Sequence, residues 1–397
     1  MRPLRLAVAC FPSTGGSGVV ASELALGLSA RGHEVHLFSS GVPGRLDKKP
    51  DGVVLHLVDP LVQPPLEYGV YTLTLAAALA EACTRARFDL IHVHYALPHA
   101  ASALLARQIL AREGHAAPRL VTTLHGTDAG AIGASPGLRA LTRHTVLESD
   151  LVTVPSEWLR RRAIETLGLP AGMAIHVVPN FVDPGEFTPS AGRPDLPRLF
   201  PSELWGTAAA PAVLAHASNF RPLKHVGDAV IALAALRSQG VPAVLLLVGD
   251  GPERLAVARL ARELGVDDHV AQLGAKTGGE LARLLAQADL FLLPSETESF
   301  GLAALESLAC GVPVIASDVG GLPEVIRHGE TGLLVPPGDP QALATAARGL
   351  LLDGPRRHAL GRAARQDALA RFRPEPVVAR FEELYRGACL PEQEIAK

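Results

Sequence analysis

The sequence predicts an α/β protein made of two doubly wound parallel-sheet domains in tandem, and three observations carry that expectation. Short apolar runs alternate with alanine- and leucine-rich stretches of helical spacing along the whole chain. A turn-rich passage from Pro179 to Pro211 interrupts the alternation near the middle. The 397 residues suffice for two domains of ordinary size, each with its own core.

In the first half, strands are expected at 4–10, Glu34–Ser39, 53–58, Leu90–His94, 120–124, Leu151–Val154 and 175–178, with helical pattern at 21–31, 72–85 and 99–112 between them. Strand, helix, strand in repetition means parallel sheets covered on both faces. After the proline-rich passage the pattern restarts at Ala212–Ala217, Ala243–Val248, 270–273, Leu290–Leu293, 314–316 and Gly332–Val335, and a last helix is expected over 374–385. This places one domain at 1–180 and a second at 181–373. Tandem α/β domains leave a cleft, and open sheets of this kind take ligands at the carboxyl ends of their strands.

Composition narrows the partners. With 37 basic and 40 acidic side chains the formal net charge is -3, which argues against nucleic acid. Cys10, Cys83, Cys310 and Cys389 lie far apart among apolar neighbours, as buried thiols in a reducing compartment do. The first 30 residues lack a signal pattern, and the apolar run 241–248 is too short to cross a membrane. A cytoplasmic protein acting away from membranes is expected.

Three glycine loops stand at strand ends. Gly16-Ser17-Gly18-Val19-Val20-Ala21 fits the dinucleotide fingerprint, yet an NAD enzyme needs an acid about 20 residues on for the ribose. Positions 38–41 are Phe-Ser-Ser-Gly, so an NAD-dependent oxidoreductase is disfavoured. Contact with another phosphate ligand, or a purely structural turn, remains. Gly249 lies in a second loop, at 248–253, that a tight strand-to-helix turn also explains. The third loop, 294–301, runs into an almost wholly apolar helix, Leu302–Ala309. Glu298 sits in that loop and Glu306 inside that helix, where a carboxylate needs partners such as ligand hydroxyls.

Arg221 and Lys224 stand at the start of a helix, where two cations are electrostatically unwelcome, so an anion clamp competes with ordinary surface charge. His92 and His94 point the same way on one strand, with His99 close by, but no carboxylate or cysteine stands near in sequence to complete a metal site. His125, in Thr122-Thr123-Leu124-His125-Gly126-Thr127-Asp128, ends another strand and is the better cleft candidate, against the bland reading of a histidine paired to its own turn.

Taken in order, the first glycine loop, the Arg221/Lys224 pair and Glu298 with Glu306 resemble the retaining GT-B glycosyltransferases of family 4. The segments 10–18, 92–100, 123–128 and 218–221 are similar to the branch of that family that glycosylates L-malate for bacillithiol biosynthesis. The resemblance implies transfer of N-acetylglucosamine from UDP-N-acetylglucosamine to L-malate with retention. It also implies a segment 374–397 that crosses back onto the first domain. It assigns the donor to Gly16, Asn219, Arg221, Lys224, Gly249, Glu298, Ser299, Phe300, Gly301, Leu302 and Glu306. Ser17, Tyr95, Thr123, Asn219 and Arg221 would take the acceptor, and His125, Arg221, Lys224 and Glu298 would be catalytic. No cofactor and no essential divalent metal is implied, and a homodimer is compatible with the resemblance. Rival readings are the same fold with an inositol phosphate or lipid acceptor, and a non-catalytic nucleotide-sugar sensor. Segment 61–85 has only Arg85 as a cation, which disfavours a lipid surface.

Overall fold

The computed structural model describes residues 2–13, 15–46, 52–60, 70–190, 192–204 and 210–390. Thr14 of the first glycine loop, positions 61–69 of the segment weighed as a lipid surface, and 391–397 of the C-terminal segment lie outside the described residues. The chain divides into two compact units, Met1–Asn180 with Pro374–Lys397, and Phe181–Arg373.

The first unit holds a parallel sheet of β1 (Arg5–Ala9), β2 (Glu34–Ser39), β3 (Val53–Leu57), β4 (Leu90–His94), β5 (Arg119–Thr123), β6 (Leu151–Val154) and β7 (Ile175–Val177), in the order β3-β2-β1-β4-β5-β6-β7. The second holds β8 (Ala212–Ala217), β9 (Ala243–Val248), β10 (Val270–Gln272), β11 (Leu290–Leu293), β12 (Val314–Ser317) and β13 (Gly332–Val335), in the order β10-β9-β8-β11-β12-β13, again parallel. Continuous apolar runs form these strands because helices cover both faces: every residue of β4 and of β9 is buried. The apolar residues on the two sides of the second sheet feed separate core clusters, one around Phe291 and Leu305, the other around Leu245 and Leu292.

The strand orders fix where a ligand can enter each unit. β1 lies between β2 and β4, and β8 between β9 and β11, so the order reverses at these strands and a crevice opens beyond their carboxyl ends. The loops after β1, β4 and β5, and after β8, β9 and β11, carry the motifs singled out above.

Beyond shifts of a few residues at other element ends, three boundaries that bear on the motifs differ from the sequence expectation. The first helix begins at Ser17, not at Ala21, because Gly16 at φ 56 turns the chain directly into it. Ser17 and Gly18 are therefore its first turn. A separate turn, Ala96–Ala100, precedes the helix Ala101–Arg112, so His99 stands outside the regular helix. Arg221 precedes a short turn, Pro222–Lys224, and the regular helix starts only at Val226.

Candidate active site

In the second unit, the loops after β8 and β11 meet. Lys224 Nζ is paired with Glu298 Oε1, with only 16% and 13% of the two side chains exposed. Ser295 Oγ donates to the same carboxylate oxygen at 3.2 Å. The loops are also tied through the backbone, Glu296 N donating to Leu223 O at 2.9 Å. His225 lies 3.7 Å from Glu296 and 3.4 Å from Asp228.

Buried polar groups hold the loop after β8. His216 Nδ1 donates to Leu292 O at 2.8 Å, so its Nε2 carries the lone pair and accepts from Ser218 Oγ at 2.8 Å. Ser218 Oγ accepts in turn from Phe220 N at 3.3 Å. Burial lowers the His216 pKa to about 4, against a backbone hydrogen bond that raises it, so the ring is neutral. Arg221 and Asn219 are exposed at the tip, and among the described residues Arg221 has no side-chain partner.

Glycine is required at several of these crossings. A Cβ on Gly249, at φ 137, would stand 1.8 Å from Ser218 O. One on Gly320, at φ 62, would stand 1.9 Å from Glu298 O, and Gly321 N donates to that oxygen at 2.9 Å. Gly301, at φ 95, is the entry residue of the helix Leu302–Ala309. Phe300 is buried beneath it, edge-on to Phe372 at 5.6 Å. Ser299 and Leu302 are half-buried, and Glu306 is buried in the second turn of that helix.

In the first unit a group of aromatic rings stands beyond β4 and β5. Tyr385 Oη of the C-terminal helix Pro374–Cys389 is hydrogen-bonded to His92 Nδ1 at 2.7 Å, and His92 Nε2 to Thr123 Oγ1 at 2.7 Å. Thr123 continues to Thr153 Oγ1 at 2.5 Å. The Thr123 hydroxyl is thus turned into the core, and its bonding capacity is used there. His94 Nδ1 faces His125 Nε2 at 2.9 Å, and His99 Nδ1 donates to His94 O at 2.7 Å. Tyr95, at φ 89, packs on His125 and on Phe11, with ring centroids 5.1 and 5.3 Å away. Gly16 is exposed, and Ser17 is buried at the head of its helix.

Asp128 anchors the two loops of this unit. Its Oδ1 accepts from Ala96 N at 2.8 Å and its Oδ2 from His125 N at 3.0 Å. Burial raises its pKa to about 6, and those same backbone bonds oppose the rise. Sequence reasoning gave no role to Asp128, His216, Ser218, Gly320 or Tyr385. An Asp three residues after a strand-end histidine is a legible turn signal, whereas nothing near Tyr385 in sequence points to His92.

The structure thus brings Lys224, Glu298 and the loops of Gly249 and Gly301 together in one unit, and the Gly16 loop, His94, Tyr95, Thr123 and His125 in the other. Among the described residues no group of three or more His, Cys, Asp or Glu is arranged to hold a metal ion. None of their helices is long and apolar enough to cross a membrane.

Two parallel sheets with loops of this kind define a glycosyltransferase of the GT-B fold, and the chain belongs to family 4. The "Glycosyltransferase Family 4" profile matches residues 14–186 and "Glycosyl transferases group 1" matches 205–367. The chain is 41% identical to N-acetyl-alpha-D-glucosaminyl L-malate synthase of Bacillus anthracis over 96% of both proteins. It is 30% identical to D-inositol 3-phosphate glycosyltransferase of Jonesia denitrificans, over 89% of this chain and 87% of that one. The Alr3699/HepE protein of Anabaena, solved with UDP and glucose, superposes with a TM-score of 0.78 at 22% identity, covering 96% of this chain and 99% of that one.

Proposed function

We propose that this chain moves N-acetylglucosamine from UDP-N-acetylglucosamine to the hydroxyl of L-malate, with retention at the anomeric carbon. The observation that carries the reading is the 41% identity, running through 96% of both chains, to a protein named for that product. The second unit is the donor domain. Arg221 and Lys224 take the diphosphate, aided by the amides of Gly16, Gly301 and Leu302, while Gly249 lets its loop pack directly against Ser218 O. Asn219, Ser299 and Phe300 complete the donor contacts. Glu306 accepts from the ribose hydroxyls and Glu298 from the sugar 3-hydroxyl.

The Lys224–Glu298 pair supports this assignment, because each side chain holds the other in place, largely out of solvent, until the donor takes both. Negative charge grows on the departing UDP as the C1–O bond breaks, and fixed cations stabilise it. The malate hydroxyl oxygen bonds to C1 from the same face, and its proton passes to the departing phosphate oxygen. No enzyme base and no divalent metal is required for this step. His125 orients the sugar and supports the oxocarbenium-like state. Ser17, Tyr95, Asn219 and Arg221 face the malate carboxylates. Thr123 acts through the position of its strand end, since its hydroxyl is engaged by His92 and Thr153.

The second reading is a phosphorylated inositol acceptor, favoured by the 30% identity to a glycosyltransferase of that substrate. The deciding experiment incubates the protein with UDP-N-acetylglucosamine and L-malate, inositol 3-phosphate or no acceptor, with and without EDTA. UDP release and product mass are followed. Malate-dependent UDP release, unaffected by EDTA, with an α-linked product by NMR coupling, is expected. Turnover with inositol phosphate alone would replace the acceptor, and a β-linked product would refute retention.

A further inference from the structure

We infer that His94 is a positioning residue that holds the proton of His125 on Nδ1. The inference rests on the reading of His125 as a group that contacts the sugar. Its starting point is a buried atom. His94 is fully buried, and its Nε2 has no hydrogen-bond partner among the described residues. A buried N–H without an acceptor is rarer and more costly than a lone pair without a donor. The proton of the neutral His94 ring therefore sits on Nδ1, where it donates to His125 Nε2 at 2.9 Å. A neutral His125 accepting at Nε2 must carry its own proton on Nδ1.

The surrounding groups fix His94 in this state. Its ring lies between those of His92 and His125, with centroids 4.5 and 5.1 Å away. His92 is itself locked by Tyr385 on one nitrogen and Thr123 on the other. The carbonyl of His94 accepts from His99 Nδ1 at 2.7 Å, which fixes the backbone beneath the ring. Desolvation, reinforced by the neighbouring histidines, pushes the His94 pKa well below its ordinary value, so the ring stays neutral.

The chemical consequence is a restriction on what His125 can do. With Nε2 accepting from His94, the ring carries its N–H on Nδ1 and its one lone pair is engaged. It can donate to an oxygen of the sugar and orient it, but it cannot take the proton of an attacking hydroxyl. His94 thereby keeps His125 out of the role of general base, which leaves that proton to the leaving phosphate.

Two-bond proton–nitrogen correlation spectra of the full-length protein, labelled with nitrogen-15 at histidine, read the tautomer of each ring directly. His125 is expected as the Nδ1–H form in the wild type and as a mixture in His94→Ala. A wild-type His125 carrying its proton on Nε2 overturns the inference, whatever the variants do. Steady-state kinetics add a second readout. Asn places its amide nitrogen near the position of Nδ1 and keeps the donor to His125, whereas Gln places it near Nε2 and loses that donor. His94→Gln should lower kcat by about ten- to a hundredfold, with KM for both substrates within about twofold. His94→Asn should retain most of the activity, and melting curves check that both variants are folded. Equal activity of the Gln and Asn variants refutes the positioning role. Wild-type turnover in His125→Ala would instead remove the reading of His125, while the spectra still report on His94.

Discussion

At the scale of single residues, the Lys224–Glu298 pair is the most exacting test of the site. The two lie 74 positions apart, are largely buried, and share their carboxylate with Ser295. Replacing either leaves the other as a poorly solvated charge, so a modest loss of stability accompanies the loss of function. Lys224→Ala and Glu298→Ala should each reduce turnover by about a hundredfold or more, with circular dichroism unchanged at 25 °C. Wild-type kcat in both would move the catalytic site elsewhere. Each residue was legible in the sequence, as a cation or carboxylate in a loop at a strand end. Their pairing was not, because it depends on β8 and β11 being neighbours.

Titration makes a second prediction at this scale. Burial pushes His92 down to about 3, His99 and His216 down to about 4, and His94 well below its ordinary value. In the unfolded chain these rings bind protons below about pH 6.5, while in the folded chain they remain neutral. Their contribution is therefore fully present above the unfolded value and is lost as pH falls toward the folded ones, by up to about 1.4 kcal/mol per pH unit for each ring. Asp128 acts in the opposite sense: raised from 3.8 to about 6, it stabilises the fold at low pH and loses that contribution as pH rises through about 6. Four rings outweigh one carboxyl, so the urea midpoint should drop between pH 7 and pH 5. An equal or higher midpoint at pH 5 would contradict the neutral, buried state of these rings.

At the scale of elements, strands were readable because each is a short apolar run buried on both faces, and the same property told nothing about loop conformation. Gly16, Gly249 and Gly301 were noticed as phosphate-loop candidates. Gly320, which no motif singles out, supports the loop of Glu298 from behind with its Cα hydrogen facing Glu298 O. Alanine there requires a left-handed backbone at φ 62 and puts a Cβ 1.9 Å from that oxygen, so the Glu298 loop must shift. Gly320→Ala should cost about 2–4 kcal/mol of stability and lower kcat together with it. Gly338→Ala offers the control, since its φ is 69 and its Cβ would meet nothing within 4 Å. That variant should lose only about 1 kcal/mol and keep wild-type turnover. Equal loss of activity in both variants would show that backbone strain alone, and not displacement of Glu298, governs the effect.

At the scale of the whole molecule, the chain leaves its first unit at Asn180, builds the second, and returns at Pro374 to finish the first. The returning helix Pro374–Cys389 buries Val377, Val378, Phe381 and Tyr385. It lies so close to the helix Ser17–Ala30 that a Cβ on Gly27 would stand 2.7 Å from Val378 Cγ2. The sequence marked this segment as a helix, but which residues it buries follows only from the fold. A polar contact, Tyr385 to His92, reaches from this last helix to the strand end at the site of the first unit. Tyr385→Phe keeps the ring and removes only the hydroxyl, leaving His92 Nδ1 without that partner in a dry core. The cost should be about 1–3 kcal/mol, read as a lower urea midpoint with unchanged slope. Because the hydrogen bond holds the His92 ring beside that of His94, turnover should fall while the affinity for UDP, measured by calorimetry, stays the same. Truncation after Arg373 removes the apolar face as well. It should then abolish cooperative unfolding of the first unit while the second, Phe181–Arg373, still melts as a unit and binds UDP. A truncated protein with both transitions intact would mean that the C-terminal helix is dispensable, and the chain's return to its first unit would have no structural purpose.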